Sequence, residues 1–196
     1  MSNTVDYYLF LLSPWSYLGT NRFNDVVARH NVTVNYKPID AMQTFEKMGG
    51  VPHMKSHPSR QRFRLDELKR WSKFLGVPIN LKPAFWPADQ ALAAKMVLAA
   101  GEKSDAGPLV DAILAAVWIE ERNIADINTM RAIANECGMD SAALIERAGT
   151  DEMAGKYQAT NDEAHERDVF GSPTYIYNGE NFWGQDRIDF LDRALS

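Results

Sequence analysis

Three short segments hold the residue types and spacings that chemistry needs. Ser13-Pro14-Trp15-Ser16 stands where an apolar run gives way to a helical pattern. Ser before Pro is a helix start: the serine oxygen accepts backbone N–H bonds at the N-cap, and proline has no N–H to lose. Free N–H groups and the helix dipole concentrate positive potential at such a point. An anionic sulfur or carboxylate there gains ~0.3–1 kcal/mol, and more where it is partly buried. Gly171-Ser172-Pro173-Thr174 puts an X-Pro bond at a strand entry, a candidate cis peptide. Trp183-Gly184-Gln185-Asp186-Arg187 sets polar residues at a strand end and helix start, where they can hold a small ligand's charged groups. Each segment alone also has a plain structural explanation. Ser13 is then only an N-cap, Pro173 a trans proline opening an edge strand, and 183–187 a helix cap with a surface ion pair.

The other reactive side chains point to less. Cys137 is the single cysteine of the chain, which excludes an internal disulfide, a CxxC redox pair and a multi-cysteine zinc site. It falls on an apolar stripe and is expected in the core. His53 and His57 are four apart, but Pro52 and Pro58 flank them and no third ligand is evident, so no metal site is expected. His165, in a polar helical segment, is expected at the surface. The basic residues between Arg60 and Lys73 are expected on a solvated face, with some turned toward an anionic substrate. No GxGxxG, P-loop or GxSxG occurs, so nucleotide binding and an α/β-hydrolase triad lack support.

These segments need elements to position them. Val5 to Leu12 is an apolar, aromatic run without Gly or Pro and suits a buried strand. A helix to about Arg29 follows, then a strand from Val32 to Tyr36, and so close a strand-helix-strand is a right-handed parallel crossover. Helical patterns span Arg60 to Leu75, Ala88 to Ala100, a stripe from Leu109 to Trp118, Met130 to Cys137, Ser141 to Ala148 and Glu152 to Arg167. Thr174 to Tyr177 and Asn181 to Trp183 flank Asn178-Gly179, whose residues supply the positive φ angles of a type I′ hairpin. Asp186 is expected to cap a last helix carrying Ile188, Leu191 and Leu195. The two chain ends, 1–40 and 168–196, are therefore expected to form one split domain with a four-stranded mixed sheet, and 41–167 an inserted α-helical domain.

Composition sets the outer bounds. Of 196 residues 45% are apolar and 24% charged, and such a chain buries enough surface to fold without a disulfide or metal. The net charge of −5 makes it a poor default binder of nucleic acid, whose affinity comes from Lys and Arg on phosphates. No run approaches the roughly 18 apolar residues of a membrane span, and Met1 to Asp6 lacks the basic and apolar regions of a signal peptide. With one thiol, the expected compartment is the cytoplasm.

Together the three segments resemble a known arrangement. A β-α-β start, a helical insertion and a Pro-led β-β-α finish resemble the thioredoxin-like fold of the DsbA type, in which a CxxC stands at the start of the first helix. Here Ser13 and Ser16 hold both cysteine positions, which excludes dithiol chemistry. The run from Tyr7 to Leu18 resembles the start of the 2-hydroxychromene-2-carboxylate isomerases, relatives of the kappa-class glutathione transferases. Leu68-Lys69-Arg70-Trp71, Ala116-Val117-Trp118, Val169 to Thr174 and Phe182 to Arg187 resemble later blocks of the same family, so the match runs from residue 5 to about 195.

The resemblance implies glutathione as cofactor and a homodimer. Ser13 is implied to donate a hydrogen bond to the glutathione sulfur and favour its thiolate. Ser172, before a cis Pro173, is implied to pair its backbone with the cysteinyl unit. Trp183, Gly184, Gln185 and Asp186 are implied to hold the γ-glutamyl end. The implied reaction is an isomerisation: the thiolate adds to a conjugated ring carbon, the ring opens, a C–C bond rotates, and loss of the sulfur leaves trans-o-hydroxybenzylidenepyruvate. A small aromatic carboxylate substrate needs an apolar wall, for which Phe45, Phe85 and Trp86 are candidates. It also needs a charge, for which Lys55, Arg60, Arg62 and Arg64 are candidates. Relatives of the naphthalene pathway carry a Lys near the place of Phe45 and an Asn-Arg pair near Met54-Lys55, and this chain has neither. Two alternatives stand beside the isomerase: a kappa-like transferase that conjugates electrophiles, and a cysteine-less thioredoxin-fold binding module.

Overall fold

The computed structural model describes residues 3–196, so Met1 and Ser2 of the N-terminal segment lie outside the described residues. β1 (Thr4–Leu9) pairs in parallel with β2 (Thr33–Pro38), Thr4 opposite Thr33 and Leu9 opposite Pro38, and α1 (Pro14–His30) makes the crossover. At the other end of the chain, β3 (Thr174–Tyr177) and β4 (Glu180–Trp183) form an antiparallel hairpin. Asn178 and Gly179 turn it with φ of 49° and 83°, as a type I′ turn requires. β3 docks antiparallel on β1 with Tyr7 opposite Tyr175, which closes one mixed sheet of order β2-β1-β3-β4. α9 (Ile188–Leu195) ends the chain.

β1 is covered on both faces, which explains why its sequence does not alternate. Tyr7, Leu9 and Tyr175 belong to the main core, where Phe23 of α1 stacks on Tyr175 at 4.6 Å. Tyr8, Phe10 and Ile176 belong to a second cluster with Ile39, Ala164 and Val169. Between the sheet halves run α2 (Ala41–Met48), α3 (Pro58–Leu75), α4 (Ala91–Gly101), α5 (Gly107–Trp118), α6 (Ile127–Glu136), α7 (Ser141–Ala148) and α8 (Asp151–Glu166). Met96, Leu109, Ile113, Ile133 and Met153 from these helices share the main core with Tyr7 and Leu9. Among the described residues no helix is long and apolar enough to cross a membrane.

Several local expectations change. β1 stops at Leu9, not Leu12, because side chains take the next backbone donors: Phe10 N–H goes to Ser172 Oγ at 2.7 Å and Leu11 N–H to Gln90 Oε1 at 2.9 Å. α2 had no counterpart in the apolar pattern, though Asp40 caps it by accepting from Gln43 N–H at 2.8 Å. Asp186 does not cap the last helix. It lies inside a 3-10 turn, Gln185–Arg187, closed by Arg187 N–H on Gly184 O at 3.0 Å, and its carboxylate binds the Arg187 side chain. Cys137 is the C-cap of α6 and is only half-buried at the core's rim, its Sγ 3.5 Å from Pro108 O. Burial and the nearby Glu136 and Asp111 push its thiol pKa up, so it is a poor nucleophile. His165 is half-buried rather than exposed, with Nε2 3.4 Å from Thr44 Oγ1, because α2 packs over α8 there. His57 caps α3 through Nδ1, which accepts from Ser59 N–H at 3.3 Å.

Candidate active site

Ser13 is held where the sequence places it, at the N-cap of α1 in extended conformation, with Pro14 opening the helix. Its Oγ accepts from Ser16 N–H at 3.2 Å and donates to the backbone oxygen of Ser172 at 3.3 Å. Ser16 Oγ and Ser172 Oγ share a hydrogen bond of 2.9 Å. The hydroxyls of Ser13, Ser16 and Ser172 thus form one buried cluster that joins the two ends of the chain. At 3.3 Å the Ser13 donor bond is long, so its proton is weakly held and free to turn to a better acceptor. An anion at this point meets that hydroxyl and the positive end of α1.

The Ser172-Pro173 peptide is cis. Pro173 O accepts from Gly184 N–H at 2.8 Å, which ties the strand entry to the turn after β4. Gly171 leaves room for Trp183: a Cβ there would run into the indole, which rests edge-on against Phe170 at 4.7 Å and is 52% exposed. Gly184 has φ of 107°, a left-handed value that favours glycine, and a Cβ would strike the Asp186 carboxylate. Gln185 is turned inward. Arg22 donates to both its backbone oxygen and its Oε1, each at 3.2 Å, so its side chain braces α1 against the turn rather than facing solvent. The Asp186 carboxylate is at the surface beside Arg187.

The expected apolar wall splits between the two core clusters. Trp86 packs against the main core, and its Nε1–H donates to Leu12 O, the residue before Ser13, at 3.1 Å. The peptide after it, Trp86-Pro87, is also cis. Phe85, Trp86 and Pro87 with Ala88, Asn123 and Ala125 line an open cleft of about 330 Å³. Phe45 lies edge-on to Phe10 at 5.6 Å, in the second cluster. Arg60, Arg62 and Lys55 are exposed. Arg64 is the basic residue of α3 that packs inward, its guanidinium carbon 5.4 Å from the Trp86 ring centre. Burial lowers its pKa to about 10. His53 lies 6.4 Å from Trp86, ring centre to ring centre, and burial together with the Arg64 charge lowers its pKa.

Sequence patterns missed the residues that position this site from a distance. Gln90 accepts from Leu11 N–H at 2.9 Å and donates to Ile39 O at 2.7 Å, so one buried amide joins the ends of β1 and β2. A lone glutamine before an Ala-rich helix was the only signal. Ser16 was visible only as the second serine of the tetrad; its bond to Ser172 Oγ required the fold.

The arrangement has known relatives. The family model described as the DSBA-like thioredoxin domain matches residues 4–196. The chain is 30% identical to a 2-hydroxychromene-2-carboxylate isomerase of Sphingobium xenophagum over 100% of its own length and 99% of the relative's. To a protein of the same name from Pseudomonas putida it is 28% identical, covering 97% and 93% of the two chains. The fold is similar to the solved structure of a 2-hydroxychromene-2-carboxylate isomerase with a TM-score of 0.85 at 26% identity, covering 98% of this chain and 94% of that one.

Proposed function

The chain belongs to the DsbA-like thioredoxin family and, within it, to the 2-hydroxychromene-2-carboxylate isomerases, and from that membership we propose its reaction. It interconverts 2-hydroxychromene-2-carboxylate and trans-o-hydroxybenzylidenepyruvate, or a closely related conjugated aromatic acid, with glutathione as cofactor. The observation that carries this is the Ser13 hydroxyl, buried at the start of α1 with a long, weak donor bond where the fold's redox relatives hold a cysteine.

The residues present fit glutathione. The Ser13 Oγ–H is available to an anionic sulfur. The backbone N–H of Ser172 takes part in none of the bonds described above, so it can pair with an extended peptide. The exposed Asp186 carboxylate suits an ammonium group, and the open backbone at Gly184 and the exposed face of Trp183 lie beside it. Gln185 contributes through its backbone, its side chain being committed to Arg22. When bound, glutathione supplies the thiol nucleophile that the tetrad lacks. Ser13 then holds its proton toward the sulfur position, which lowers the cost of charge there. Pro14 and Ser16 fix Ser13 at the cap, and Trp86 and Phe85 offer an apolar surface to the aromatic part of the substrate. The protein is proposed to act as a cytoplasmic homodimer, whose assembly sedimentation velocity reads directly.

The test is incubation of the purified protein with glutathione and 2-hydroxychromene-2-carboxylate, followed by mass analysis and calorimetry. Glutathione-dependent formation of an isobaric product, with saturable glutathione binding of about −8 to −4 kcal/mol, supports the proposal. A stable glutathione adduct makes the protein a transferase. No saturable glutathione binding and no turnover leaves a binding module and rejects the isomerase.

A further inference from the structure

We propose that Arg64 is the specificity-determining residue of this site and takes the carboxylate of the aromatic acid, with the Trp86 ring beneath it as the wall for the conjugated part; this rests on the isomerase reading above. The geometry starts at Ser13. Leu12 O, one residue earlier, accepts the Trp86 Nε1–H at 3.1 Å, so the indole is fixed against the start of α1. The Arg64 guanidinium lies over that indole at 5.4 Å. Phe85 and Trp86 open onto the cleft of about 330 Å³.

Arg64 lacks the partner that such a group normally has. A half-buried guanidinium costs desolvation unless a carboxylate or similar acceptor offsets it. Arg22, Arg122, Arg147 and Arg167 each meet a carboxylate. Arg64 meets an aromatic face instead, and none of the described ion pairs includes it. Stacking on a ring leaves the N–H donors at the guanidinium edge free for a bidentate anion. The surroundings agree in sign. From His53 to Arg64 the chain has no Asp or Glu, while it carries Lys55, Arg60 and Arg62. Asp66 and Glu67, just beyond, are occupied by Lys69 and Arg70. In a protein of net charge −5 this segment is thus purely basic, and its Arg64 packs on Trp86, a residue that lines the cleft. His53 lies beside Trp86, and burial together with the Arg64 charge lowers its pKa. Arg60, expected from sequence to serve the substrate, is exposed on the first turn of α3, one turn from Arg64. Its place suits attraction of an anion to this segment.

The experiment compares benzylidenepyruvate with its methyl ester as ligands of the wild-type protein, Arg64→Gln and Arg64→Lys. Intrinsic tryptophan fluorescence reads binding, since the ligand would lie on Trp86. Steady-state turnover of 2-hydroxychromene-2-carboxylate and glutathione affinity are measured in parallel. Loss of a charge-assisted pair is expected to weaken acid binding by about tenfold to a hundredfold in Arg64→Gln. The ester and glutathione should bind as in the wild type, KM should rise more than kcat falls, and Arg64→Lys should recover part of the loss. Equal acid affinity in wild type and Arg64→Gln overturns the proposal, as does wild-type protein that does not bind the acid. An equal loss for acid and ester also overturns it, because that marks a structural role. A wild-type protein that binds the acid through Arg64 but does not isomerise the chromene rejects the isomerase reading alone.

Discussion

Ser13 Oγ serves two bonds at once, accepting from Ser16 N–H and donating to Ser172 O. The accepted bond is the helix cap, and the donated one is the bond a ligand can replace. Ser13→Ala removes both, and the two losses are separable by magnitude. Loss of the cap should cost about 1 kcal/mol of stability in urea unfolding. Loss of a donor aimed at developing charge should lower kcat by about 10²–10³. A mutant that is destabilised by this amount and keeps its turnover would show that Ser13 only caps α1. The tetrad was legible because a cap, a proline and a helix start are neighbours in sequence. The choice among Lys55, Arg60, Arg62 and Arg64 was not. Exposure separates them, and exposure of α3 is set by which residue meets Trp86, not by spacing within the helix.

At the scale of elements, the site depends on how β1 ends. Phe10 and Leu11 leave the ladder because Ser172 Oγ and Gln90 Oε1 take their N–H groups, and Ser13 N–H then closes the turn on Phe10 O at 2.9 Å. Gln90 also holds Ile39 O and reaches Tyr157 OH at 3.4 Å, so it braces β1, β2 and α8 from the start of α4. Gln90→Leu keeps the volume but leaves the Leu11 donor and the Ile39 acceptor unpaired in the interior. It should destabilise the protein by about 2–5 kcal/mol, read as a lower urea midpoint at unchanged slope. A change below 0.5 kcal/mol, within the usual range of surface substitutions, would mean that water replaces the amide. The hairpin was fully legible, since Asn178-Gly179 states its own φ angles. α2 was missed because it is only eight residues long and the one residue it buries fully, Thr44, is polar. The start of α9 was misplaced because Gly184 is fixed by Pro173 O, a partner that no local pattern names.

Across the whole molecule, Asp111 is one of the groups that make stability depend on pH. Asp111 of α5 is pushed up to about 6 by burial and by the neighbouring Asp105, although Asn24 of α1 donates to it at 2.7 Å. A carboxyl with a folded pKa above its unfolded value binds protons more tightly in the folded state. Its contribution to folding is therefore fully present below its ordinary value of 3.8 and is lost as pH rises through about 6. Asp111→Asn can still accept from Asn24 and carries no charge to bury. It should stabilise the protein by about 1–3 kcal/mol at pH 7–8, with the gain gone by about pH 4. Urea unfolding across that range checks it, and a pH-independent effect would show that Asp111 ionises normally.

The sequence by itself determined what is local or periodic. These are the strands and most helices, the type I′ hairpin, the cap at Ser13, the absence of a dithiol, and the family to which these blocks belong. Such features follow from backbone sterics and burial patterns that neighbouring residues share. The tertiary structure alone decided how the ends meet. The Ser13–Ser172 bond joins residues 159 apart, Ser16–Ser172 156 apart, and Leu11–Gln90 79 apart. It also turned Gln185 inward, set Cys137 at the rim, placed His165 under α2, and put Arg64 over Trp86. Each of these is a matter of which groups share a buried volume, and a chain's order does not state that until the core has closed around it.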